Sequence, residues 1–410
     1  MNLQLDKTTL QSNQSIAISG SKSETNRLLL LQALYPIIGI ENTSNSDDSL
    51  TMRDALQSKE NSIDVHHAGT AMRFLTAYFA TQNQCEIILT GSSRMKERPV
   101  KILVEALQEL GADITYLENH GFPPLKIKGR LLTKHQVRLS ANVSSQYISA
   151  LLLIGASLEN GIELTLEGEI TSIPYINMTL ELLQSIGIKT SFNENKIRVA
   201  PHPQLIPKTI TIESDWSSAS YFYAMIALSD VGTNITLSSY KPSSLQGDSM
   251  LVHLYKEFGV TTHFNEDSTM VLTKESIPTK QHFEFNLNKV PDIAQTIAVC
   301  CLGMGVSCHL TGLQTLKIKE TDRLQALYNE LSKLGATIQI TEDSLTLGIT
   351  DTIKENCSIT TYQDHRMAMA FAPLSIKVPL IIEEAEVVSK SFPSFWNDLE
   401  KLGYKIKACL

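Results

Sequence analysis

One local pattern recurs along the chain: an amphipathic helical stretch ending in an apolar residue and then glycine, followed by alternating strand residues. It occurs as LVEALQELGADITYL, LELLQSIGIKTSF, LVHLYKEFGVTTHF, LYNELSKLGATIQI and LEKLGYKIKACL. The glycines are Gly111, Gly187, Gly259, Gly335 and Gly403, at successive spacings of 76, 72, 76 and 68 residues. Glycine ends a helix in the left-handed conformation at least cost, so each is expected at the C′ position. SLTMRDALQSKENSIDVHH is a degenerate sixth copy that lacks the glycine. Between copies lie further helices and short turn-linked strands, NENKIRV and TEDSLTLG among them. A period near 70 residues reads as strands plus two helices per unit, which suits symmetric α/β domains better than a solenoid of short repeats.

The last copy stops after one helix and one strand, so its missing strands are expected from the N-terminus. Residues 1–19 then join residues 213–410 in a C-terminal-type domain, and residues 20–212 form an inserted domain. The boundary falls in IPKTITIESDWSSASYFYAMIALS, where Pro207 and a polar cluster separate a strand from a new apolar helix. At 410 residues, two domains of three units each are expected.

Composition narrows the function. The formal charge of −8 argues against general nucleic-acid binding, although a local cationic cluster can still oppose it. The N-terminus lacks the basic and apolar regions of a signal peptide, and Pro36 breaks the longest apolar run, so a cytoplasmic protein without a membrane span is expected. Six cysteines without CxxC spacing read as buried free thiols, and the ten histidines form no metal-ligand set.

The chemistry-bearing residues cluster at loop-to-helix junctions, where free N–H groups and the helix dipole favour anions. GSKSETNRLLLL, residues 20–31, sets Lys22, Ser23 and Arg27 at the mouth of an apolar helix. Gly69 and Thr70 open a helix in HHAGTAMRFLTAYF, and GSSRMKERPVKIL carries Arg94, Lys96 and Arg98 before Pro99, a good first helical residue. Ser144 and Ser145 precede Gln146 at another helix start, and Ser172 and Tyr175 flank Pro174 at the next. Asp292 follows Pro291 ahead of an apolar helix, and its carboxylate suits the dipole or a general base. LKIKETDRLQAL packs Lys319, Glu320, Asp322 and Arg323 together, and helical spacing predicts Lys319 and Arg323 on one face with Glu320 beside them. YQDHRMAMAFAPL sets Asp364, His365 and Arg366 before an apolar helix, and Lys390 precedes Phe392 and Pro393. Capped helices and solvated charges account for each cluster singly. Nine of them, shared by both halves of a repeated architecture, favour an anion-filled cleft.

The order GSKSETNR, AGTAMR, RMKERP, VSSQ, SIPY, VPD, KIKETDR, DHRMAM and KSFP resembles the EPSP synthases of the enolpyruvyl transferase family over nearly the whole chain. His67 stands where that family usually has Asn, Phe74 where Pro is common, and Thr315 where an Asn often contacts substrate. The resemblance implies a two-domain inverse α/β barrel of six βαβαββ-type units, three per domain, with the active site in the cleft between them. It implies enolpyruvyl transfer from phosphoenolpyruvate to the 5-hydroxyl of shikimate 3-phosphate, with release of phosphate, in chorismate and aromatic amino-acid biosynthesis. A monomer without metal or organic cofactor is expected.

By matching motifs, Lys22, Gly69, Arg94, Gln146, Arg323, Arg366 and Lys390 would bind phosphoenolpyruvate. Lys22, Ser23, Arg27, Ser144, Ser145, Gln146, Ser172, Tyr175, Asp292 and Lys319 would bind shikimate 3-phosphate. Asp292 would take the hydroxyl proton and Glu320 would protonate the methylene carbon, with Lys22 as a third catalytic group. Two alternatives remain at this point: the sister transferase acting on UDP-N-acetylglucosamine, which usually carries a loop Cys absent from GSSRMKERP, and an inert anion-binding scaffold.

Overall fold

The computed structural model describes residues 1–140, 144–168, 170, 173–201 and 205–409. Its contacts divide the chain into two compact units, Met1–Ser19 with Glu213–Leu410, and Gly20–Ile212. Both are α/β, and among the described residues no helix is long and apolar enough to cross a membrane.

In the Gly20–Ile212 unit, Ser62–Asp64 pairs parallel with Glu86–Thr90, which continues antiparallel to Leu125–Lys128 and then Asp113–Tyr116. Gln136–Ser140, Ile162–Glu167, Lys196–Val199 and Thr190–Asn193 repeat this order. Among the described residues a third sheet holds the parallel pair Ile38–Glu41 and Lys208–Thr211. The other unit has three four-stranded sheets of the same pattern. In one, Asn2–Leu5 lies between Leu380–Ile382 and Ile406–Cys409, antiparallel to both. The N-terminal strand thereby fills the position that an internal strand takes elsewhere.

A parallel pair needs a crossover, and helices supply it. The crossover helices are buried over most of their surface. They are Gly69–Thr81 and Ser145–Gly155 in one unit, where Lys22–Leu34, which precedes the parallel strand Ile38–Glu41, is a further buried helix. In the other they are Trp216–Leu228, Ala294–Met304 and His365–Phe371. The second set of helices, such as Lys101–Leu110 and Arg323–Lys333, buries one stripe and exposes the other. Polar side chains on the buried helices gather at their N-terminal ends. There, Ser21, Ser144, Asp215 and Asp364 accept from the first free N–H groups.

All five repeat glycines are left-handed, with φ between 77° and 110°. After Gly111, Gly187, Gly335 and Gly403, the next residue's N–H donates to the carbonyl five positions back, the bond that closes a Schellman cap.

Two local expectations need correction. Lys319 and Arg323 do not share a helix. Asp322 accepts from Gln325 N–H and starts the helix at Arg323, while Lys319 is extended at φ −81°, ψ −151°. Pro99 is not a first helical residue either, because the helix begins at Lys101 after Val100, with a short separate turn at Ser93–Lys96.

The glycines differ in what surrounds them. A Cβ at Gly259 would lie 2.0 Å from Ser276 O, whereas one at Gly111 would meet nothing within 4 Å. Gly111→Ala is expected to cost about 1 kcal/mol, the penalty for left-handed alanine, and Gly259→Ala at least about 3 kcal/mol because backbone must also shift. Melting temperatures of the two variants check the order.

Candidate functional site

The unit containing Glu213–Leu410 gathers its charged residues around one guanidinium. Arg323 opens its helix with only 2% of its surface exposed. Its Nε donates to Asp364 Oδ2 at 2.6 Å, Nη1 to Asp292 Oδ1 at 3.0 Å and Nη2 to Glu320 Oε2 at 2.8 Å. Lys319 Nζ lies 3.2 Å from Asp292 Oδ1, and Lys390 Nζ 3.1 Å from Glu320 Oε1. Arg366 Nη2 donates to Asp292 Oδ2 at 3.4 Å and to Ser217 Oγ at 3.3 Å. Ser217 in turn donates to Asp248. Lys319, Arg323, Arg366 and Lys390 therefore stand among Asp292, Glu320, Asp364 and Asp248, so the charges nearly cancel.

That balance sets the proton affinities. Burial alone would raise the Asp292 carboxyl, but Lys319, Arg366 and Arg323 outweigh it and hold it well below the usual range. Burial would lower the Arg323 guanidinium, and Asp364, Glu320 and Asp292 raise it instead. Asp248 goes the other way: burial, reinforced by Asp292, lifts it to about 6 despite Arg366 and Ser217.

In the Gly20–Ile212 unit the central cation is Arg27, which is buried. Its Nε donates to Thr179 Oγ1 at 2.8 Å, Nη1 to Ser23 O at 2.8 Å, and Nη2 to Ser149 Oγ at 3.0 Å and Tyr175 O at 3.4 Å. Its guanidinium carbon lies 5.5 Å from the Phe74 ring centre and 6.0 Å from that of Tyr175. Among the described residues no carboxylate touches it. Burial lowers it to about 10, against the opposing influence of Tyr175 and Glu24. Hydroxyls and carbonyls solvate this buried charge directly, and Glu24 acts on it as well.

The other expected residues of this unit are distributed around helix starts. Lys22 Nζ is 3.2 Å from Asp48 Oδ2. Ser144 caps its helix by accepting from Gln146 N–H, Ser145 is the first helical residue, and Gln146 Nε2 donates to Thr70 Oγ1 at 3.2 Å. At Gly69 an added Cβ would lie 2.8 Å from the Arg98 guanidinium, so glycine is what admits that cation. Arg94 is not drawn into such a cluster: it is half-exposed and pairs with Glu97 at 2.8 Å. Ser172 lies outside the described residues. Among those described, no three His, Cys, Asp or Glu side chains are arranged to hold a metal ion.

Among the contributors that escaped the site expected from sequence are Asp48, Ser217, Asp248 and Arg98. Asp48 and Asp248 stand far along the chain from the cations they serve, and their only signal is a carboxylate at a helix entrance. Arg98 carried a signal, as one of three basic residues beside Pro99.

Comparisons with known proteins point one way. The family model described as EPSP synthase (3-phosphoshikimate 1-carboxyvinyltransferase) matches residues 54–399. A curated 3-phosphoshikimate 1-carboxyvinyltransferase from Bacteroides fragilis strain YCH46 is 45% identical over 403 residues, covering 97% of each chain. One from Haemophilus influenzae strain PittGG is 34% identical, covering 95% of this chain and 96% of its own. In fold, the chain matches the EPSP synthase structure from Acinetobacter baumannii with a TM-score of 0.79 at 20% identity, covering 99% and 100% of the two chains. It also matches the enolpyruvyl transferase NikO from Streptomyces tendae with a TM-score of 0.74 at 14% identity, covering 99% and 98%.

The raised Asp248 carboxyl has a measurable consequence. Between its ordinary value near 4 and about 6, the folded chain holds a proton that the unfolded chain releases, so this group's contribution to stability falls as pH rises through that window. Asp248→Asn removes that loss. Relative to the parent, the variant is expected to gain about 3 kcal/mol on going from pH 4 to pH 7. Thermal unfolding of both proteins at the two pH values checks it, and a parallel pH dependence refutes it.

Proposed function

The chain belongs to the EPSP synthase family, and from that premise we propose how its own residues carry the family's reaction. It is an enzyme that transfers the enolpyruvyl group of phosphoenolpyruvate to shikimate 3-phosphate in the shikimate pathway. Our reading is that the acceptor is the 5-hydroxyl and that a tetrahedral adduct forms before phosphate leaves.

Both substrates carry a phosphate and a carboxylate, and such charge is held most strongly by several cations in a water-poor site. We assign phosphoenolpyruvate to Lys22, Gly69, Arg94, Gln146, Arg323, Arg366 and Lys390. Shikimate 3-phosphate falls to Lys22, Ser23, Arg27, Ser144, Ser145, Gln146, Ser172, Tyr175, Asp292 and Lys319. The observation that carries the mechanism is Arg323 bonded to Asp292 and Glu320 together.

At rest, both carboxylates are held by cations and are poor at moving protons. An arriving anion competes for those same cations. As Arg366 and Lys319 turn toward substrate, Asp292 regains basicity and takes the hydroxyl proton. As Lys390 and Arg323 turn toward phosphoenolpyruvate, Glu320 loses the charges that kept it ionised and becomes able to protonate the methylene carbon. Substrate binding is thus what arms both groups.

The reading extends to architecture. Six βαβαββ-type units closing as an inverse α/β barrel, three in each domain, are supported by the recurring strand order and the buried crossover helices. A cytoplasmic monomer working without metal or organic cofactor belongs to the same proposal.

Phosphate release from phosphoenolpyruvate, measured with shikimate 3-phosphate or UDP-N-acetylglucosamine in parallel, tests the acceptor. Release with shikimate 3-phosphate alone is expected. Release with the sugar nucleotide alone overturns the assignment, and silence with both favours an inert scaffold. Asp292→Asn and Glu320→Gln are each expected to lower kcat by about 100-fold or more while the fold is kept. Near-normal turnover in either variant removes that residue's role.

A further inference from the structure

The loop that delivers Asp364 and Arg366 is held in a costly conformation by contacts away from the reacting groups. Thr361 to Asp364 form a four-residue turn closed by Asp364 N–H donating to Thr361 O at 2.9 Å. Its two central residues, Tyr362 and Gln363, have φ of 54° and 55°. Turns with two left-handed centres ordinarily use Asn and Gly, because a Cβ crowds the backbone there. Tyrosine and glutamine persist in such a turn only if something else holds it.

Glu330 supplies the hold. It is fully buried on the helix Arg323–Lys333. Oε1 accepts from Tyr362 Oη at 2.6 Å, and Asn329 Nδ2 donates to the same hydroxyl at 3.2 Å. Oε2 accepts from Thr360 N–H at 3.1 Å and from Lys333 Nζ at 2.7 Å. Thr360 Oγ1 is tied down separately, donating to Glu383 Oε2 at 2.9 Å. One helix therefore grips the turn at two places: Arg323 bonds Asp364, its last residue, and Glu330 bonds Tyr362 within it and Thr360 just before it.

We propose that Glu330 and Tyr362 are positioning residues for the transfer reaction, clamping the Tyr362–Gln363 turn left-handed so that Asp364 faces Arg323 and Arg366 faces Asp292. This rests on the assignment of Arg323 and Arg366 to phosphoenolpyruvate. Without the clamp the turn relaxes toward negative φ. Asp364 then moves off Arg323, and the cations lose their spacing although neither clamp residue touches substrate.

Tyr362→Phe removes the hydroxyl and keeps the ring. It is expected to raise the KM for phosphoenolpyruvate about tenfold, with kcat and the KM for shikimate 3-phosphate changed less than about threefold. Adding Gln363→Gly, which accepts the left-handed conformation freely, is expected to return that KM to within about threefold of the parent. Crystal structures of the parent and both variants supply a readout independent of turnover. Residue 363 turns to negative φ and Asp364 leaves Arg323 in Tyr362→Phe, and both return in the double variant. An unchanged phosphoenolpyruvate KM, a parallel rise in both KM values, no recovery with glycine, or a single variant that keeps its left-handed turn overturns the proposal. If the parent consumes no phosphoenolpyruvate with shikimate 3-phosphate, the functional reading has failed, and the crystal structures alone decide whether the clamp exists.

Discussion

A buried guanidinium surrounded by carboxylates is the interaction around which the charged residues of one unit are arranged. Arg323 is almost wholly removed from water, and an unpaired charge there would be prohibitive. Asp364, Asp292 and Glu320 make it tolerable, and each arrives from a different segment. The same pairing holds the Asp292 carboxyl well below the usual carboxylate range.

Arg27 solves the opposite problem. Its guanidinium is satisfied by hydroxyls and carbonyls, and aromatic faces cover its remaining surface. Its direct partners are neutral, whereas those of Arg323 are carboxylates. Two buried arginines, one opening its helix and the other in the second turn of its own, thus differ in the neighbours that satisfy them.

Much of this was legible in the sequence. The repeat glycines, the apolar crossover helices and the polar residues at their mouths all follow from neighbours within a few positions. Ser144 as a cap is visible for the same reason. Where two local signals competed, sequence reasoning went astray. The spacing of Lys319 and Arg323 fits one helical face, but Asp322 caps so well that the helix starts after it. Both cations still meet, on Asp292, because tertiary packing brings them there by another route. Arg94 has the composition of a site residue, yet its nearest bond is to Glu97 three positions away.

The sequence by itself determined the periodic alternation of helix and strand, the helix ends and the identity of the cationic clusters, because helix caps and amphipathic faces are set by short-range hydrogen bonding and burial. Only the tertiary structure decided which carboxylate answers which cation. Asp48 stands 26 residues from Lys22, Asp292 74 from Arg366, and Glu330 32 from Tyr362. Electrostatic pairing depends on distance in space and on the water excluded around it, and neither is encoded in the spacing of residues along the chain.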